Sequence, residues 1–171
     1  ETQDISGPNI RISDINYFIS DDEKNIGGLT FKINHGTTFV PAKIYNLVGT
    51  HQLVGVMASI AIGLHFGMNL VEISEAIAHF DLPRSRMNLL SGIKHAVIID
   101  DTYNASPLST RAALSTLKDF VRARSIALDQ TGRKIAVLGD MKELGKYEIE
   151  AHREIGNYAA ECTDILVTVG G

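Results

Sequence analysis

The chain has 171 residues, a formal net charge of −4 and a hydrophobic content of 44%. These values are ordinary for a globular protein and give no reason to expect binding to nucleic acid or to an anionic membrane. No apolar run approaches the roughly 20 residues needed to cross a bilayer. The single cysteine, Cys162, excludes an internal disulfide and is consistent with a reducing cytoplasm.

The first part of the chain, up to about Tyr45, has short apolar runs typical of β-strands. The polar loop Ser20–Gly28 separates the second run from the third, so we expect an antiparallel meander. The predicted strands are Asn9–Ile15, Tyr17–Ile19, Leu29–Ile33 and Thr38–Tyr45.

Two apolar helices are predicted next. The sequence Gly49-Thr50-His51 opens the first helix, and Gly67 is placed to end it in a left-handed conformation. Asn69 and Glu72 form a capping-box pattern for the second helix, which we expect to run to Phe80.

The second half alternates strands and helices, and we place a domain boundary before it, between residues 1–82 and 83–171. The β-α-β-α-β order predicts three parallel strands with right-handed crossovers, an incomplete Rossmann-like α/β domain. Because the chain stops directly after the last strand, we expect it to be a piece of a longer protein. The predicted elements are Met87–Leu90, a strand ending at Asp100, a helix over Pro107–Arg122, a strand ending at Gly139, a helix over Glu148–Glu161 and a strand ending at Val169.

Polar residues cluster directly after the strand that ends at Asp100. Asp101, Tyr103 and Asn104 follow it, and Ser106-Pro107 is a good helix start. Open α/β sheets bind ligands at such strand-to-helix crossings. On these residues alone, a ligand site and simple capping of the loop by its carboxylates stay equally acceptable.

Two further motifs accompany this cluster: Gly139-Asp140-Met141-Lys142-Glu143-Leu144-Gly145 and, on the next helix, His152-Arg153-Glu154-Ile155-Gly156. Together the motifs resemble the Mur ligase family, and within it the branch that adds D-alanyl-D-alanine to UDP-N-acetylmuramoyl-tripeptide. Sister ligases usually have Tyr-Ala-His where this chain has Tyr103-Asn104-Ala105. The resemblance implies the end of a central ATPase domain over residues 1–82 and the start of a C-terminal Rossmann-like domain over residues 83–171.

The resemblance implies a cytoplasmic, ATP-dependent and ADP-forming ligase of peptidoglycan precursor synthesis, with Mg²⁺ at its nucleotide site. In that family ATP phosphorylates the terminal carboxylate of the peptide, and an amine attacks the acyl phosphate. The chain contains no G-x-x-x-x-G-K-[ST] phosphate loop. We therefore expect the chain alone to be inactive, and we assign no catalytic residue within it.

The resemblance also implies ATP-binding roles for His51, Gln52, Arg86 and Asp101. Arg86 matches an arginine that contacts ATP, Asp101 matches the acidic residue that binds the ribose, and His51 matches a histidine beside the base. The family has asparagines where this chain has Gln52 and Gly55, so we expect weakened recognition of the base. The alternatives for Arg86, Asp101 and His51 are a solvated linker arginine, a helix-terminal carboxylate and a structural histidine.

Three residues are assigned to the motif loops. Tyr103 and Asn104 are expected to shape their loop rather than transfer protons. His152 either takes part in substrate binding or packs on the loop Gly139–Gly145. The other histidines show no ligand spacing, so no structural metal is predicted.

Two alternative functions stay open. One is another Mur-like amide ligase, of the cyanophycin or folate type, and the other is a non-catalytic Rossmann-like binding module. The sequence specifies neither the oligomeric state nor the third residue of the acceptor peptide.

Overall fold

The computed structural model describes residues 5–7, 9–20, 25–81, 83–129 and 131–170. Strands and helices follow one another along these residues in two different patterns, antiparallel first and alternating later. Their bounds are β1 Ile5–Gly7, β2 Ile10–Ile19, β3 Gly27–His35, β4 Thr38–Tyr45, α1 Leu53–His65, α2 Leu70–Ala78, β5 Asn88–Ser91, β6 Val97–Asp100, α3 Pro107–Leu128, β7 Ile135–Gly139, α4 Glu148–Cys162 and β8 Ile165–Val169.

Strands β1 to β4 form an antiparallel sheet in chain order. The sequence predicts the antiparallel arrangement, but β1 is not among the predicted strands. The two strands predicted on either side of Asn16 are instead one strand, β2, with a register shift between Ser13 and Asn16. The shift is a bulge, which moves the in-and-out alternation by one residue. As a result Ile12 and Ile15, three residues apart, are both buried.

Helices α1 and α2 cover one face of this sheet through a cluster of buried aliphatic residues. The predicted capping box is present, because the Asn69 side chain accepts from the Glu72 N–H and Glu72 Oε2 accepts from the Asn69 N–H. Gly67 has φ 84°, the left-handed conformation expected after α1. Helix α2 ends at Ala78, two residues earlier than predicted, and the Ser74 hydroxyl donates to the Pro41 carbonyl of β4.

Strands β5 and β6 form an antiparallel hairpin that joins the first sheet to the rest of the protein. The Leu89 N–H donates to the Asn46 carbonyl at 3.1 Å. Phe120 of α3 lies edge-on to Tyr17 of β2, with 5.9 Å between ring centroids. The residues on either side of the predicted boundary thus share one buried cluster, which also contains Met87.

Strands β7 and β8 are parallel and are connected through α4, as predicted. We expected β6 to be the third parallel strand, beside β7. Instead, β6 pairs with β5 and not with β7. A groove of about 470 Å³ lies between Ile99 of β6 and Ala136 of β7. The alternation of strands and helices predicted the order of these strands, but it does not decide which of them become neighbours.

Helix α3 begins as predicted, with Ser106 as a capping-box N-cap and Pro107 in the first turn, and it continues to Leu128. Asp129 ends it with φ 49°. None of the helices in the described ranges has both the length and the apolar character required to cross a membrane.

Candidate functional site

The segment Ser85–Met87 and the loop after β6 are held together side by side. The Ser85 hydroxyl donates to Asp100 Oδ2 at 3.1 Å, and the Tyr103 N–H donates to the Ser85 carbonyl at 3.2 Å. The Met87 N–H donates to Asp101 Oδ1 at 3.2 Å. Ser85 and Met87 both have positive φ, 59° and 55°, so the backbone turns sharply on each side of the intervening arginine.

That arginine, Arg86, lies over the ring of Tyr103, with 4.0 Å between its guanidinium carbon and the ring centroid. Its backbone N–H donates to Asn88 Oδ1 at 3.0 Å. An arginine over an aromatic face is attracted by the ring quadrupole while its N–H donors stay available at the edges. Arg86 is therefore held in place and can still bind an anion.

Asp100 and Asp101 are adjacent carboxylates in different environments. A hydrogen bond from the Thr102 hydroxyl, 2.7 Å from Asp100 Oδ1, is the main cause of the lowered pKa of Asp100. Burial raises the pKa of Asp101, and the Met87 N–H and the charges of His51 and Arg86 oppose that effect. Asp101 is thus the less well solvated carboxylate, so a hydrogen bond from a ligand would stabilise its charged form more than that of Asp100.

His51 and Gln52 precede the first turn of α1. Burial lowers the pKa of His51, and the Asp101 carboxylate acts in the opposite direction. The Gln52 amide nitrogen is 3.3 Å from His51 Nε2. Gly49 has φ 89°, and a Cβ there would lie 2.6 Å from the His51 ring, so this approach requires glycine.

Gln52 and Arg86 line the same mainly apolar cavity, of about 560 Å³, which we call the α1–α2 pocket. Gly55 forms part of its wall beside Gln52. A flat apolar ring fits such a lining, and the few polar groups at its edge would orient it. Other lining residues are Ser59, Ile73, Ile77 and Phe80.

The groove between β6 and β7, which we call the strand-end groove, is more polar. Asp101, Tyr103 and Asn104 line it on one side and Asp140 on the other. The Asn104 side chain accepts from the Ala105 N–H at 2.9 Å, so it stabilises its own loop.

His152, on α4, contacts the loop that follows β7. The Met141 N–H donates to His152 Nε2 at 3.1 Å, and His152 Nδ1 is 2.8 Å from the Glu148 carbonyl. Because Nε2 accepts, the proton of the neutral ring is on Nδ1 and is donated to Glu148. His152 therefore contacts the loop Gly139–Gly145, as one of its two predicted roles requires, and it borders a cavity of about 170 Å³ together with Asp140.

The structure brings most of the predicted residues together. His51 and Arg86 act electrostatically on Asp101, Gln52 shares the α1–α2 pocket with Arg86, and Tyr103 lies against Arg86. Sequence reasoning missed Ser85 and Met87, which fix this arrangement. Neither residue type signals a left-handed backbone, so the sequence had no pattern that could have revealed them. Within the described residues no group of three or more His, Cys, Asp or Glu side chains is placed to hold a metal.

The chain that carries this site is similar to known proteins. The family described as Mur ligase, glutamate ligase domain, matches residues 85–171. The chain is therefore a member of the Mur ligase family, and the family and the mixed α/β fold predicted from the sequence are confirmed.

The chain is also similar to individual members of one branch of this family. The UDP-N-acetylmuramoyl-tripeptide–D-alanyl-D-alanine ligase of Mycobacterium leprae is 35% identical over 142 residues, 80% of this chain and 27% of that protein. The same ligase of Bacillus subtilis is 32% identical over 142 residues, 82% of this chain and 28% of that protein. A crystal structure of MurF from Acinetobacter baumannii matches with a TM-score of 0.74 and 26% identity, over 95% of this chain and 32% of that one. The chain thus spans less than a third of the length of these relatives.

Proposed function

We propose that this chain is part of an ATP-dependent, ADP-forming ligase that joins D-alanyl-D-alanine to UDP-N-acetylmuramoyl-tripeptide in peptidoglycan precursor synthesis. The observation that carries the proposal is that Gln52 and Arg86, from separate segments, line one apolar pocket, while the Met87 N–H holds Asp101 beside the segment that carries Arg86. The names of the relatives, which cover most of this chain, supply the substrates.

In the proposed binding mode the adenine lies in the α1–α2 pocket, where Gln52 offers a carboxamide. Asp101 accepts hydrogen bonds from the ribose hydroxyls, and its half-buried position strengthens them because partial burial disfavours the unpaired charge. Arg86 donates to phosphate oxygens, a contact that a guanidinium makes with paired donors. His51 packs near the base and faces Asp101.

Magnesium bound with ATP would offset the negative charge of the phosphates during transfer. The described residues include no group of three or more His, Cys, Asp or Glu side chains placed to hold it. We propose that the part of the ligase with the phosphate loop supplies most of its ligands. The residues of this chain instead hold the base and ribose and keep Arg86 oriented.

The strand-end groove is the proposed site of the incoming amine, D-alanyl-D-alanine. It adjoins Asp101 and is lined by Tyr103, Asn104 and Asp140, so it offers both donors and acceptors for a dipeptide. We also propose that residues 1–82 close the ATPase domain and that residues 83–171 begin the C-terminal domain, with the reaction in the cytoplasm, where ATP is available.

The test uses the complete ligase, purified, with ATP, Mg²⁺, UDP-N-acetylmuramoyl-tripeptide and D-alanyl-D-alanine. We expect ADP release that requires both other substrates, together with the pentapeptide product by mass spectrometry. The isolated 171-residue chain should release no ADP above a heat-treated control. Turnover with a different amine or acceptor would identify another amide ligase, and nucleotide binding without turnover would identify a binding module.

A further inference from the structure

Core packing does not explain the aromatic ring of Tyr103, because the residue is largely exposed. Tyr103 is 69% exposed, yet its backbone N–H donates to the Ser85 carbonyl, which fixes the loop against the segment that carries Arg86. The ring lies under the Arg86 guanidinium at 4.0 Å. The ring therefore contributes to the orientation of a charge rather than to a core.

The carboxylate of Asp101 would compete with a bound nucleotide for the Arg86 guanidinium. Asp101 is held next to Arg86, because the N–H of the following residue, Met87, donates to Asp101 Oδ1 at 3.2 Å. An arginine free to turn toward Asp101 would pair with that carboxylate, and its donors would no longer serve a ligand in the α1–α2 pocket, which Arg86 lines. With its guanidinium on the aromatic ring, Arg86 keeps its edge donors available, and Asp101 keeps its acceptors.

We propose that Tyr103 is a positioning residue for ATP: its aromatic face holds Arg86 in the orientation that binds the nucleotide and keeps it from pairing with Asp101. This inference rests on the proposed function, because it assigns Arg86 to ATP. An exposed cation–π contact changes an equilibrium by about twofold to fivefold, so the expected effect on affinity has that size.

The experiment measures the Kd of a non-hydrolysable ATP analogue for the complete ligase by calorimetry. Tyr103→Leu, which keeps apolar bulk without a ring face, and Tyr103→Ala should each raise Kd by about twofold to fivefold. Tyr103→Phe, which keeps the ring, should recover most of the affinity. The control is Tyr147→Ala, since Tyr147 is 60% exposed and lies 5.1 Å from the Lys146 ammonium, but borders neither the pocket nor the groove.

A double-mutant cycle separates positioning from a general effect on the fold. If Tyr103 acts through Arg86, Tyr103→Leu should cause no further rise in Kd once Arg86→Ala is present. Additive effects, or an unchanged Kd in Tyr103→Leu and Tyr103→Ala, would overturn the inference and leave the proposed function intact. Failure of the unmodified ligase to bind the analogue would overturn both.

Discussion

Replacing Gly55 by asparagine should increase the preference of the ligase for ATP over GTP. Gly55 is in the first turn of α1, in the wall of the α1–α2 pocket beside Gln52. A Cβ added there meets no heavy atom within 4 Å, so the start of a larger side chain has open space. Asparagine would add a second carboxamide to a pocket whose lining is mainly aliphatic.

The expected size follows from one additional hydrogen bond to the base. A neutral hydrogen bond contributes about 0.5–1.5 kcal/mol, which corresponds to a change of about twofold to tenfold in the ATP-to-GTP ratio of kcat/KM. Gly63, the next glycine of the helix, could not serve in the same way, because its added Cβ would lie 3.0 Å from the Ile73 side chain.

The assay compares kcat/KM for ATP and GTP in the unmodified ligase, Gly55→Asn and Gly55→Ala. Gly55→Ala is the matched control, because it removes the helix glycine and stabilises α1 by up to about 1 kcal/mol without adding an amide. We expect a low ratio in the unmodified ligase, the same ratio in Gly55→Ala and a higher one in Gly55→Asn. A high ratio in the unmodified ligase that Gly55→Asn leaves unaltered would show that the base is recognised elsewhere.

Two further substitutions test the site. Asp101→Ala should raise the KM for ATP by about tenfold to a hundredfold, the value of one lost charged hydrogen bond, with a smaller effect on D-alanyl-D-alanine; unchanged ATP kinetics would restrict Asp101 to its contact with the Met87 N–H. His152→Ala leaves the Met141 N–H without its acceptor and should lower the free energy of unfolding by about 1–3 kcal/mol, measured by urea denaturation. The exposed His35→Ala is the control, expected within about 0.5 kcal/mol of the unmodified protein, and an equal result for both would contradict the bonded role of His152.

Local signals in the sequence predicted local structure well. The Asn69–Glu72 capping box and the Ser106-Pro107 helix start were both found, since each depends on contacts within four residues. Strand β4 has the predicted bounds, Thr38–Tyr45, because it is bounded by a tight turn on one side and a loop on the other.

Features that depend on distant neighbours were not predictable in the same way. The bulge that merges two predicted strands into β2 is visible only when β3 is placed beside it. The separation of β6 from β7 depends on the hairpin with β5, and nothing in the strand sequences records that choice of partner. For the site, the sequence indicated Arg86 and Asp101, but not the left-handed residues Ser85 and Met87 that bring them together.

The contrast between the two adjacent carboxylates explains why the loop after β6 has both. Asp100 is committed to its own loop, because Thr102 and Ser85 donate to its two oxygens and lower its pKa. That network fixes the backbone at Asp101, whose pKa is raised by burial and whose Oδ1 is held by the Met87 N–H. A carboxylate that is held in place by a backbone N–H and is incompletely solvated is suited to accept hydrogen bonds from ribose hydroxyls. Both oxygens of Asp100, in contrast, already accept hydrogen bonds within the protein. Substituting Asp100 should therefore act on Asp101 through the loop, not through a direct contact with the nucleotide.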